Sequence, residues 1–126
     1  MSQNIKPEGL KIRKEILGAE FVEKRIAEAT EFNRPLQELV TNFAFGDVWS
    51  RPGLDRKTRS MLTLAMLAAL NRPNEFKLHV RGAINNGVSK TEIREVLVHA
   101  SVYAGVPAAV DGFRLAAEAL KELGLE

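Results

Sequence analysis

Glu75 and His79 stand four residues apart in the stretch "NEFKLHVRGAINNG", Asn74 to Gly87. If that stretch is helical, the two side chains share a face. Imidazole titrates near neutrality, and a carboxylate beside it favours the imidazolium form and fixes the ring. Such a pair suits general acid–base work, worth roughly 10²–10⁴-fold in rate when well placed. It equally suits a solvated surface pair that does no chemistry. No metal is expected: zinc takes three or four N, O or S ligands, and the chain offers only His99 besides His79, no cysteine and no HExxH.

A second group is basic. Arg56, Lys57 and Arg59 crowd what reads as the first turn of a helix, with Arg51 a few residues earlier. The positive end of the helix dipole disfavours cations there and favours anions. Either these residues gather an anion over the exposed N–H groups, or they pair with Asp55 or with acids on another helix or subunit. An arginine fork suits carboxylate better than a lysine does. The remaining polar candidates are weaker. His99, between Val98 and Ala100, reads as a core or interface histidine. Trp49 and Tyr103 read as packed aromatics with satisfied polar tips. "AGVPAA", from Ala104, reads as a tight turn between helices whose N–H groups near Gly105 or Ala108 could face a pocket.

The elements that must position these residues are helical. "GLKIRKEILG" and "EFVEKRIAEAT" are short and amphipathic, and "NRPLQELVTNFAFGDVW" carries Leu36, Leu39, Val40, Phe43 and Phe45 mostly at helical spacing. "SRPGL" breaks the chain with a Pro-Gly turn, and Asp55 is placed to cap "RKTRSMLTLAMLAALN". From Met61 to Leu70 that helix is apolar almost all round, so it is expected at the centre, buried on every side. In so short a chain this suggests a neighbouring subunit covering part of it. Gly87 closes the helix that holds Glu75 and His79. "SKTE" is a capping box for "IREVLVHASVYAG", and Pro107 opens the last helix. No strand, repeat or low-complexity linker is visible. The expectation is an all-α single domain, 1–126, of about six to seven helices.

Composition narrows the function. The 126 residues suffice for one domain with its own core, and 45% are apolar. With 18 Lys+Arg against 16 Asp+Glu the net charge is only +2, too little to argue for nucleic acid or an anionic membrane. Zero cysteines exclude disulfides and thiol chemistry within the chain. The longest apolar run, "MLTLAMLAAL", has ten residues, where a membrane span takes about 20. The N-terminus shows no signal-peptide pattern. A cytoplasmic location is therefore expected.

The segments "FAFGDVWSRPGLDRKTRSMLTLAMLAALNR", "LHVRGAINNGVSKTEIREVL" and "YAGVPAA" resemble, in order and spacing, the carboxymuconolactone decarboxylase family, from about Gly9 to the C-terminus. The wider superfamily includes the alkylhydroperoxidase D proteins with their CxxCxxxH motif. The positions here are Arg72, Glu75 and His79, so the histidine is kept without the thiols and the peroxidase reading falls away. The resemblance implies an alkylhydroperoxidase D-like fold that oligomerises, through trimers into hexamers. It implies cofactor-free decarboxylation of 4-carboxymuconolactone to 3-oxoadipate enol-lactone in protocatechuate breakdown (the beta-ketoadipate pathway). On that expectation His79 and Glu75 handle the proton, while Arg51, Arg56 and Arg59 bind the carboxylates of a lactone dicarboxylate. The rival expectation is a non-enzymatic or differently specific oligomer that binds a related carboxylated lactone or aromatic metabolite.

Overall fold

The computed structural model describes residues 4–126, and among these every regular element is helical. Contacts divide the chain into two compact units, the first ending at Leu54 and the second running Asp55–Glu126.

The first unit contains α1 (Pro7–Leu17), α2 (Ala19–Ala27) and α3 (Arg34–Glu38), the last continuing without a break into a π-helical segment, Leu39–Val48. Pro7 and Pro35 sit in the opening turns of α1 and α3, where a missing N–H costs nothing. Gly18, at φ 96°, turns the chain between α1 and α2. Ile12, Ile16, Leu17, Val22 and Phe45 are buried. Of the apolar residues at helical spacing in the α3–π stretch, Phe45 alone is buried. Leu36, Leu39 and Phe43 are exposed within this chain, while Gln37 and Thr41 are buried together with Phe45.

Arg13 of α1 explains the inversion. It is only 5% exposed, and its Nη1 donates to Gln37 Oε1 at 2.8 Å and to Thr41 Oγ1 at 3.1 Å. A buried guanidinium must be hydrogen-bonded, so the polar residues of the α3–π stretch turn inward to meet it. Gly9 permits the approach: a Cβ there would lie 2.1 Å from the Thr41 carbonyl oxygen and 3.2 Å from Gly46 Cα. The wider turn shows at Trp49, whose N–H donates to the Ala44 carbonyl five residues back at 2.9 Å. Trp49 stacks on Phe45 with ring centroids 5.9 Å apart, as expected of a packed aromatic.

The second unit contains α4 (Arg56–Ala69), α5 (Pro73–Asn85), α6 (Lys90–Tyr103) and α7 (Val106–Glu122). Its apolar core is formed by Leu64, Phe76, Val80, Ala83, Val88, Ile93, Leu97, Ala116, Ala119 and Leu120. Burying a side chain such as Leu64 or Phe76 contributes about 1.5–3 kcal/mol. Helix α7 packs against α5 and α6, and at Gly112 it approaches Leu97 so closely that a Cβ would meet Leu97 Cδ2 at 2.5 Å.

The helix ends follow the sequence closely. Asp55 Oδ1 accepts the Thr58 N–H at 2.7 Å, capping α4. Ser89 and Glu92 form the reciprocal capping box of α6. Gly87, at φ 88°, ends α5: its N–H donates to the Ile84 carbonyl and the Val88 N–H to that of Ala83. That is the paired closure which a left-handed residue makes possible. Asn71 performs the same service after α4 at φ 58°.

Helix α4 departs from the expectation of burial on every side. Within this chain Ser60 and Leu64 are buried, whereas Leu62, Met66 and Leu70 are exposed. His99 is exposed within this chain, which removes the core alternative for it and leaves the interface one; its ring tilts against that of Tyr103 at 5.2 Å, and Tyr103 is itself 81% exposed rather than packed inside this chain.

Candidate functional site

The first turn of α4 carries Arg56, Lys57 and Arg59. Of its three basic residues, Lys57 is engaged: its Nζ meets Glu92 Oε2 of α6 at 2.9 Å. That bond, with the Ser89 backbone N–H, holds the Glu92 carboxyl below its ordinary pKa. Lys57 thus ties two helix starts together, which is the pairing alternative. Arg56 and Arg59 remain half-buried on the same turn, and the Nε of Arg59 is sealed from solvent. Asp55, the cap, stays ionised below the usual carboxylate range because the Thr58 N–H bonds it. One acid and two arginine forks therefore mark this turn.

Glu75 and His79 lie on α5, as the spacing predicts. Pro73 opens the helix, and Glu75 in the first turn complements the dipole. Glu75 is exposed, whereas His79 is half-buried with Nδ1 sealed from solvent. Burial pushes the imidazole pKa down from 6.5 to about 4, and Glu75 offsets only part of that. The expected order of effects is thereby reversed. Desolvation outweighs the neighbouring carboxylate, and the resting ring is neutral at pH 7.

Ser60 and Asn86 connect the two helices. Asn86 Nδ2 donates to Ser60 Oγ at 2.9 Å, with Ser60 wholly buried and Asn86 half-buried. The contact sets the start of α4 against the end of α5. At 3.6 residues per turn, Glu75, His79 and Asn86 fall within about 40° of one another around α5. Of the three, Asn86 meets α4, through Ser60. Asn86 and His79 are then about 10 Å apart along the axis, from seven residues of rise. The arginine turn, Ser60 and Asn86 thus lie at one end of the α4–α5 pair, and His79 and Glu75 follow further along α5.

Arg56, Arg59, Glu75 and His79 all belong to the second unit, the arginines in the first turn of α4 and Glu75 and His79 on α5. Arg51 belongs to the first unit: it is exposed, just after the π-helical segment, and its N–H donates to the Val48 carbonyl at 3.0 Å. Gly105, at φ 98°, precedes α7. Ala108 lines a cleft of about 10 Å³ with Leu67, Arg72 and Phe76, room for no more than one water. A larger groove of about 380 Å³ lies between α6 and α7, lined by Lys90, Arg94, Leu97 and Phe113 among others, and none of the four candidate residues borders it. Arg56, Arg59 and His79 are half-buried outside that groove. The spacing of residues could reveal Glu75 and His79. Asn86 gave no signal of its own, because its partner Ser60 is 26 positions away.

Among the described residues no three His, Cys, Asp or Glu side chains converge as a metal site would require. No described helix is long and apolar enough to cross a membrane.

Residues 34–118 match the profile of the carboxymuconolactone decarboxylase family. The chain is 48% identical over 116 residues, 92% of its length and 81% of the relative's, to the nitrosuccinic acid decarboxylase of the fungus Metarhizium robertsii. It is 44% identical over 118 residues, 94% of its length and 88% of the relative's, to the 4-carboxymuconolactone decarboxylase of Acinetobacter baylyi.

Proposed function

Because the chain belongs to the carboxymuconolactone decarboxylase family, and is thus an enzyme of a decarboxylase family, we propose that it converts 4-carboxymuconolactone to 3-oxoadipate enol-lactone without a cofactor. The observation that carries this reading is the 44% identity to a decarboxylase of that substrate, spread over 94% of the chain. A place in protocatechuate breakdown, a cytoplasmic location and assembly through trimers into hexamers belong to the same reading.

The substrate explains how little the protein must supply. Its departing carboxylate sits on the ring carbon γ to the lactone carbonyl, across a C=C bond. When the C–CO2 bond breaks, its electron pair flows through that double bond onto the carbonyl oxygen. The product of this step is a dienolate and neutral CO2. A proton added at the α carbon then gives the enol-lactone. The ring is its own electron sink, so no bound group has to provide one.

Three tasks remain for the side chains. Arg56 and Arg59, with Arg51 as a third candidate, hold carboxylates, the strongest contact falling on the acetate arm. A tight ion pair to the leaving carboxylate would stabilise the ground state and slow the reaction. His79 donates the proton, with Glu75 orienting it. A ring that is neutral at rest can fill this role because a dianionic substrate raises its pKa on arrival. The imidazole gains its proton in the complex and passes it to carbon. A backbone N–H near Gly105 or Ala108 is a candidate for the developing oxyanion.

A second reading rests on the 48% identity to the nitrosuccinic acid decarboxylase. Nitrosuccinate also carries two carboxylates and its own sink, since the electrons released with CO2 can enter the nitro group as a nitronate. The same anion clamps and proton donor would serve. Both readings are tested by assaying the folded protein with lactone made in situ and with nitrosuccinate. On the first reading kcat/KM is higher for the lactone, and the reverse order favours the second. A folded protein that turns over neither substrate excludes both. His79→Ala should lower kcat at least about 100-fold and Glu75→Gln about tenfold. Near-normal kcat in either variant removes that residue from proton handling.

A further inference from the structure

The seam between α4 and α5 contains one polar side chain that the mechanism above does not use. Asn86 is half-buried and spends one N–H on the buried Ser60 hydroxyl, at 2.9 Å. It lies on the face of α5 that carries His79 and Glu75, beside the α4 turn that carries Arg56 and Arg59. An amide has two N–H donors and an acceptor oxygen, so Asn86 keeps a second donor after Ser60 has fixed its orientation. A substrate with two carboxylates and a lactone spans several ångströms and needs donors between its charged ends.

We propose that Asn86 is a substrate-binding residue, oriented by Ser60, that donates a hydrogen bond to the anionic substrate between the arginine turn and His79. The inference rests on the decarboxylase reading. Ser60 is a positioning residue: it touches Asn86 and acts through it. Its burial makes the orientation firm, because a hydroxyl sealed from water gains more from keeping its partner than an exposed one does.

The test is a steady-state comparison of the full chain with Asn86→Asp, Asn86→Ala and Ser60→Ala, each checked for folding by its thermal transition. Asn86→Asp is the informative variant. The Ser60 hydroxyl can turn to donate to the new carboxylate, so the contact between the helices survives while the group facing the substrate becomes an anion. KM for the lactone should rise at least about 50-fold in Asn86→Asp, since like charges now meet. It should rise about tenfold in Asn86→Ala, and about threefold in Ser60→Ala, each with kcat within about twofold of the parent. If Asn86→Ala fails to fold, the isosteric Asp variant decides alone. An unchanged KM in Asn86→Asp, with or without a lowered transition temperature, makes Asn86 a mere strut between helices and overturns the proposal. Wild-type protein that turns over neither lactone nor nitrosuccinate sinks the decarboxylase reading and takes this inference with it. Normal wild-type turnover with unmoved variants sinks the inference alone.

Discussion

Arg13 in the first unit is buried and His79 in the second is half-buried, and the two basic side chains solve the problem of leaving water in opposite ways. Arg13, in the first unit, cannot lose its charge at any ordinary pH. Burial, with Arg25 nearby, lowers its pKa, but a guanidinium stays protonated, so the structure must answer with acceptors for its hydrogen bonds, Gln37 Oε1 and Thr41 Oγ1. His79, in the second unit, simply gives up its proton, falling to about 4. A permanent cation reorganises its surroundings, whereas a titratable one reorganises itself. The first arrangement dictates local structure. The second leaves a group that an arriving anion can recharge.

This contrast can be broken or sharpened at three places. The largest effect is expected where the first unit is tightest. Gly9→Ala puts a methyl 2.1 Å from a backbone carbonyl that cannot rotate away, and should cost about 3 kcal/mol in a denaturant titration. Gly112→Ala in the second unit meets the flexible end of Leu97 at 2.5 Å instead, and should cost clearly less. Equal losses would mean that backbone contact is not what distinguishes the first unit.

The next effect depends on pH. Unfolded, His79 takes a proton below its ordinary 6.5, but folded it does so only below about 4. Protons therefore favour the unfolded chain across that window. The stability contributed by the neutral ring is complete above about 6.5 and is lost as pH falls towards 4, by up to about 3 kcal/mol. Urea titrations at pH 7 and pH 4.5 should show this loss, and His79→Asn should flatten it. An unchanged slope in that variant would place the acid sensitivity elsewhere.

The smallest is Arg13→Ala, which leaves Gln37 Oε1 and Thr41 Oγ1 without their buried donor and should cost about 2 kcal/mol. That loss should be the same at pH 7 and pH 5, because guanidinium does not titrate between them. A loss that varies over this range would end the contrast with His79.

Much of the fold could be read before any coordinates, for a local reason. Asp55, the Ser89–Glu92 box, Pro107 and Gly87 act on backbone within a few residues of themselves, so their spacing is enough. What could not be read depends on partners far along the chain. The spacing of Leu36, Leu39 and Phe43 suggests a core face, yet Gln37 and Thr41 are buried, because Arg13 lies 24 and 28 positions away. The same limit applied to the site. Glu75 and His79 announce themselves by being four apart. The neutrality of the ring is set by how deeply three-dimensional packing buries it, and Asn86 acquires meaning only beside Ser60.

The π-helical segment carries a consequence for the gene as well as for the fold. A turn closed five residues back holds one residue more than an α-turn. Leu39–Val48 is therefore a place where chain length is stored in slack form. Deleting one residue there could be absorbed by tightening a turn, leaving Arg51 and all that follows in sequence unaltered. Elsewhere in a helix, the same deletion would rotate every later side chain by about 100°. Among the helical stretches, a one-residue change in length is thus best accommodated in this one.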